Sequence, residues 1–206
     1  MSNIKIIGNC YIDPEVQIGN NVTIHNNVSI LGNSQIGDNV VIMPNTIIEN
    51  CTIGENTIIK SSYLEESVVG KNCKLGPYCH LRPNSNIGDE CHIGNFVEVK
   101  NSSIGNKTKA NHLAYIGDAD VGENCNIGCG AIFVNYNGTS KNKTTVGNNC
   151  FIGSNCNIIA PVNIADKSYI CAGTTLTIDT KPSDFVIGRC RETIKEKRAD
   201  NYLKKQ

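Results

Sequence analysis

The chain has 206 residues, with 19 Gly, 11 Cys, four Phe and no Trp, so few large aromatics are available to fill a globular core. Its 19 basic and 19 acidic residues cancel, which argues against a broad electrostatic hold on nucleic acid or an anionic membrane and leaves any charge chemistry local. The opening MSNIKIIGNC has no signal-peptide apolar run and no later segment approaches a membrane span, so a cytoplasmic protein is expected, with neither nucleic acid nor membrane as partner.

From the N-terminus onward the chain repeats itself. Ile18, Ile24, Ile30, Ile36, Ile42 and Ile48 are six apart, and so are Leu75, Leu81, Ile87, Ile93 and Val99. After an interruption Val146, Ile152, Ile158, Ile164, Ile170 and Leu176 resume the count. A unit this short fits one strand and a turn of a parallel β-helix. Three units would make a coil of about 18 residues with a triangular cross-section, and coils would stack about 4.8 Å apart. An all-β prism of hexapeptide repeats is therefore expected over 1–180, with a loop expelled at 134–145. A basic C-terminal tail or short helix should follow over 181–206.

Cysteines follow the same period. Cys10, Cys51, Cys73, Cys79, Cys91, Cys125, Cys150 and Cys156 each lie two residues before a repeat aliphatic, a slot held elsewhere by Val, Thr or Ser. They read as small buried apolar residues in a reducing compartment. No CxxC pair suggests zinc, and no metal is expected.

In the middle of the chain the columns carry chemistry. Arg82 and Lys100 each follow a repeat aliphatic, one coil apart, with no acid in that column, which suits an anion lying across both. The slot before the aliphatic gives His80, Glu98 and Tyr115 on successive coils. At 109–120, KANHLAYIGDAD breaks the pattern and puts His112 on an outward slot shared with Asn95 and Cys129. An outward histidine sharing a groove with a phosphate clamp and Tyr115 is a plausible general base. NYNGTSKNKTT at 135–145 suits a loop covering a polar ligand.

The segments GPYCHLRPNSNIG, NFVEVKNSSIG, KANHLAYIGDADVGENCNIGCG, VNYNGTSKNKTTVG, FIGSN and AGTTLTID resemble, in order over about 76–190, a known enzyme domain. It is the acetyltransferase domain of bacterial bifunctional N-acetylglucosamine-1-phosphate uridyltransferase/glucosamine-1-phosphate acetyltransferase. The resemblance implies a left-handed β-helix, an exception to the usual right-handed crossover, and a homotrimer with sites between subunits. It implies acetyl-CoA-dependent N-acetylation of glucosamine 1-phosphate in UDP-N-acetylglucosamine biosynthesis, which supplies the cell wall.

His112 matches that family's general base, and Arg82, Lys100, Tyr115 and Asn126 match its sugar-phosphate set. Cys129, Asn135, Tyr136, Ser154, Ala172 and Arg189 match its coenzyme contacts, with Cys129 standing where a small alanine is usual. Glu98 is expected to orient His112 or raise its basicity, and Lys141 to enter the adjoining subunit's site. No LxxGxGTRM-like segment is present, so uridyltransferase activity is not expected of this chain. Three alternatives stay open: another amino sugar or sugar nucleotide as acceptor, a non-catalytic scaffold, and a metal-dependent hydratase resembling the γ-class carbonic anhydrases. His80, His92 and His112 do not reproduce the spacing of that last family.

Overall fold

The computed structural model describes residues 3–203. Thirty short strands, most of two or three residues, are linked only in parallel between successive coils. They form sheets of 11, 10 and 9 strands, one for each face of a prism of about 10 turns. The first face carries Lys74–Leu75, His92–Asn95, Lys109–His112 and Asn126–Ile127. The second carries His80–Leu81, Glu98–Lys100 and Tyr115–Gly117, and the third Asn86–Ile87, Ser103–Ile104 and Ala119–Val121. The all-β hexapeptide prism read from the spacing is the observed fold.

Registers follow the repeat. Leu81 pairs with Val99 and Val99 with Ile116, so the aliphatic column runs down the interior. Ile24, Ile42, Ile59, Leu64, Ile93, Ile116 and Phe133 are fully buried in one continuous core. Each such side chain removed from water contributes on the order of 2 kcal/mol. Cys51, Cys73, Cys79, Cys91, Cys125, Cys150 and Cys156 are buried and free, as their slot requires, whereas Cys10 near the open end is half-buried. Burial pushes the Cys51 and Cys79 thiols up to about 11.

Most corners are turned by one residue in the left-handed region. Asn21, Asn39, Asn56, Asn72, Asn124 and Asn149 fill one edge with φ between 56° and 58°, a conformation asparagine tolerates better than most residues. Their side chains also hydrogen-bond from coil to coil, as Asn39 to Asn56 at 3.1 Å and Asn124 to Asn149 at 2.8 Å.

The edge between the first and second faces differs. Tyr78, Phe96 and Leu113 occupy its left-handed positions at φ 59°, 58° and 45°, yet they are 60%, 56% and 57% exposed. The Tyr78 and Phe96 rings stack at 5.6 Å. Bulky side chains in this conformation cost roughly 1–2 kcal/mol each, and here no burial within the chain offsets it.

The shaft continues past residue 180, where the hydrophobic period fades, because Phe185–Val186 pairs with Tyr169–Ile170. Beyond it the chain is exposed, and the expected tail contains one short turn, Arg198–Asn201, of 3-10 type. Its Ile194 is 87% exposed, so no apolar face exists to support a longer helix. Among the described residues, no helix is long and apolar enough to cross a membrane.

Candidate active site

The second face gathers the expected anion-binding residues. Arg82 lies one coil below Lys100, and Lys100 one coil below Gly117. A Cβ at Gly117 would collide with the Tyr115 ring, so this glycine lets the phenol lie flat across the column. Lys141, carried by the expelled loop, lies against Lys100 of its own chain. That contact, desolvation and the Arg82 charge together hold the Lys100 ammonium below its ordinary value, against the pull of Asp118. Three cations thus converge beside Tyr115.

Arg82 is nonetheless not free of acids. Its Nη1 donates to Glu98 Oε1 at 2.9 Å, and this contact keeps the guanidinium firmly charged. The column expected to hold no acid in fact continues downward into Glu65, since Leu64 pairs with Leu81, and Glu98 reaches Arg82 diagonally. Glu98 therefore has a different partner from the one expected, since the sequence reading pairs it with His112.

His112 stands at the end of its strand on the first face, exposed, in register with Asn95. Its Nδ1 lies 3.1 Å from Asn95 Oδ1. With Nδ1–H donating to that amide oxygen, the Nε2 lone pair is left outward. Among the described residues, no hydrogen bond or ion pair joins His112 to Arg82, Glu98, Lys100 or Tyr115. The single groove expected from sequence is instead two faces meeting at the Tyr78–Phe96–Leu113 edge. Asn126 lies with His112 on the first face, in register with Lys109.

The expected coenzyme residues fall along the continuation of that edge. Gly130 N donates to Leu113 O, Asn155 N to Cys129 O and Gly173 N to Ser154 O, each at 2.8 Å. Cys129, Ser154 and Ala172 therefore occupy successive coils above His112, and Arg189 caps them by donating to Ala172 O at 2.9 Å. Asn135 and Tyr136 begin the expelled loop, which closes through a Tyr136–Lys141 bridge and an Asn142 N to Asn135 O bond of 2.7 Å. Lys143 ties it to Asp120 at 2.6 Å. A polar groove of about 440 Å³ opens between this loop and the third face, around Asn84, Asn101, Asp120 and Lys141. It lies one face away from His112.

Sequence reasoning missed Asn95 as a partner of His112, and missed Asp118 altogether. Asp118 is 8% exposed and turns a corner at φ 49°. Its carboxylate accepts from Asn101 and Asn135, and Asn135 also donates to Tyr115 Oη at 3.3 Å. An acid at a corner position beside a slot for Asn was the available signal. Asp118→Ala should strip the buried Asn135 amide and the exposed Asn101 amide of their acceptor, destabilising the protein by about 1–2 kcal/mol. Thermal melting checks this, with Asp118→Asn expected to lose less.

Among the described residues, no group of three or more His, Cys, Asp or Glu side chains is gathered to hold a metal ion.

Comparison with known proteins agrees with this architecture. The family model described as GMPPB C-terminal domain matches residues 6–82, bacterial transferase hexapeptide (six repeats) matches 66–101, and hexapeptide repeat of succinyl-transferase matches 143–177. The bifunctional protein GlmU of Caldicellulosiruptor saccharolyticus is 57% identical over 104 residues, which is 50% of this chain and 22% of that protein. GlmU of Acetivibrio thermocellus is 52% identical over 104 residues, 50% of this chain and 23% of that protein. The chain thus covers under a quarter of the length of these relatives. A solved UDP-N-acetylglucosamine acyltransferase from Campylobacter jejuni superposes with TM-score 0.50 at 18% identity over 86% of this chain and 69% of that one, a likeness of fold. The chain is a β-solenoid of six-residue repeats, and half of it is similar in sequence to bifunctional GlmU proteins.

Proposed function

We propose that the protein N-acetylates glucosamine 1-phosphate with acetyl-CoA, as a homotrimer in the cytoplasm, in the synthesis of UDP-N-acetylglucosamine. The observation that carries this reading is the convergence of Arg82, Lys100 and Lys141 beside Tyr115, which suits a sugar phosphate dianion. Identity to GlmU over half the chain supports the same substrate class.

In this mechanism His112 Nε2 takes a proton from the amino group as its nitrogen attacks the thioester carbonyl. The C–N bond forms and the C–S bond breaks, and the proton passes to the departing thiolate. Asn95 holds the ring in the tautomer that leaves Nε2 free. A backbone N–H near the Ser154 corner is suited to receive the tetrahedral oxyanion. Cys129, Ser154, Ala172 and Arg189 would seat the coenzyme along their shared edge, with Asn135 and Tyr136 at its side, and Asn126 would contact the sugar.

The trimer is supported by the exposed Tyr78–Phe96–Leu113 ridge. Three copies that bury this edge around a common axis would remove its apolar surface from water. They would also turn the first face of one copy, with His112 and Asn126, toward the second face of the next, with Arg82 and Lys100.

Thiol release from acetyl-CoA tests the substrate. It should be fast with glucosamine 1-phosphate and slow with glucosamine 6-phosphate or a nucleotide-linked amino sugar. Preference for either of the latter would replace the acceptor named here.

A further inference from the structure

Tyr115 joins the cation column by lying across a glycine. The residue in register above Arg82 and Lys100 is Gly117, and a Cβ there would collide with Tyr115 Oη. The phenol hydroxyl therefore fills the place that a side chain would take next to Lys100. What it offers a ligand depends on which way its hydrogen points, and that is set behind the column. Asn135 Nδ2 donates to Tyr115 Oη at 3.3 Å, and the same nitrogen donates to Asp118 Oδ2. The other carboxylate oxygen, Oδ1, accepts from Asn101 Nδ2. Asp118 and Asn135 are each 8% exposed, so the bond between them is made largely out of water.

The two ends of an asparagine amide have almost the same shape but opposite hydrogen-bonding character. A carboxylate accepts and does not donate, so Asp118 admits one orientation of Asn135, with the NH2 group toward it. The second hydrogen of that NH2 then points at Tyr115. The phenol oxygen becomes an acceptor on this side, and its own hydrogen is left to point away from Asn135, over Arg82 and Lys100. We infer that Asp118 is a positioning residue which, acting through Asn135, keeps the Tyr115 O–H free to donate to the phosphate. The inference rests on the function proposed above and adds to it a residue that does not itself touch the substrate. The main chain holds position 118 independently of its side chain, because its N–H donates to Lys100 O at 3.0 Å and its carbonyl accepts from Thr144 N at 3.1 Å. The φ of 49° at this position also suits asparagine.

Charge and hydrogen bonding lead to opposite expectations for Asp118→Asn. Asp118 lies close enough to Lys100 to favour its ammonium form, and by charge alone a carboxylate there repels a phosphate dianion. Removing that charge should leave KM for glucosamine 1-phosphate unchanged or lower it. With an amide at position 118, however, Asn135 is free to turn its carbonyl toward Tyr115, which takes up the phenol hydrogen. The positioning role therefore predicts a KM for glucosamine 1-phosphate raised about two- to tenfold, the worth of one ordinary hydrogen bond, with kcat nearly unchanged. Tyr115→Phe leaves no hydrogen to aim, so adding Asp118→Asn to it should raise KM no further. Steady-state kinetics on wild type, the two single variants and the double variant makes the comparison, with melting temperatures to confirm folding. A KM unchanged or lowered by Asp118→Asn, or raised by the same factor in both backgrounds, would overturn the positioning role and leave the proposed function intact. A wild type that does not acetylate glucosamine 1-phosphate would overturn both.

Discussion

His112→Ala should lower turnover by about 10²–10⁴-fold, the range a general base contributes, while leaving KM for the sugar phosphate and the oligomeric mass nearly unchanged. His112 is exposed and, among the described residues, makes one side-chain hydrogen bond, with Asn95 at 3.1 Å, so its removal opens no cavity in the core. Steady-state kinetics beside light scattering separates this outcome from misfolding. Asn95→Ala should also reduce turnover, by a smaller factor, because the imidazole remains but its tautomer is no longer held. Full activity of His112→Ala would remove the role assigned to it.

Arg82→Ala and Lys100→Ala should act mainly on binding. Each removes a charge-assisted contact to the phosphate worth about 1.5–3 kcal/mol, or roughly 10- to 150-fold in kcat/KM. The structure ranks them. Loss of Arg82 also leaves Glu98, its partner at 2.9 Å, as an uncompensated carboxylate beside an incoming dianion. Arg82→Ala should therefore cost more than Lys100→Ala, and adding Glu98→Gln to Arg82→Ala should restore part of the loss. If Glu98 instead acted through His112, Glu98→Gln would lower kcat in either background and restore nothing. The double-variant measurement thus distinguishes the two roles.

The repeat made the shaft legible. Six-residue spacing of Ile and Val fixed which side chains point inward, and the same count placed the buried cysteines and the stacking of Arg82 beneath Lys100. Other features depend on directions that a column cannot carry. The Arg82–Glu98 pair is diagonal. The separation of His112 from Lys100 depends on where the chain turns a corner, and Leu113 at φ 45° makes that turn. The apolar edge is not legible in the six-residue count because Tyr78, Phe96 and Leu113 fall at corner positions, outside the inward columns. The final strand, Phe185–Val186, was hidden because a five-residue polar stretch at 179–183 interrupts the hydrophobic count before it.

The central claim is a reaction: transfer of an acetyl group from acetyl-CoA to the amine of glucosamine 1-phosphate. Incubating the purified chain with isotopically labelled acetyl-CoA and glucosamine 1-phosphate, and analysing the sugar by mass spectrometry, tests it most directly. Labelled N-acetylglucosamine 1-phosphate is predicted, formed in proportion to thiol released and about 10²–10⁴-fold more slowly with His112→Ala. Unmodified sugar phosphate after prolonged incubation with folded, trimeric protein would contradict it.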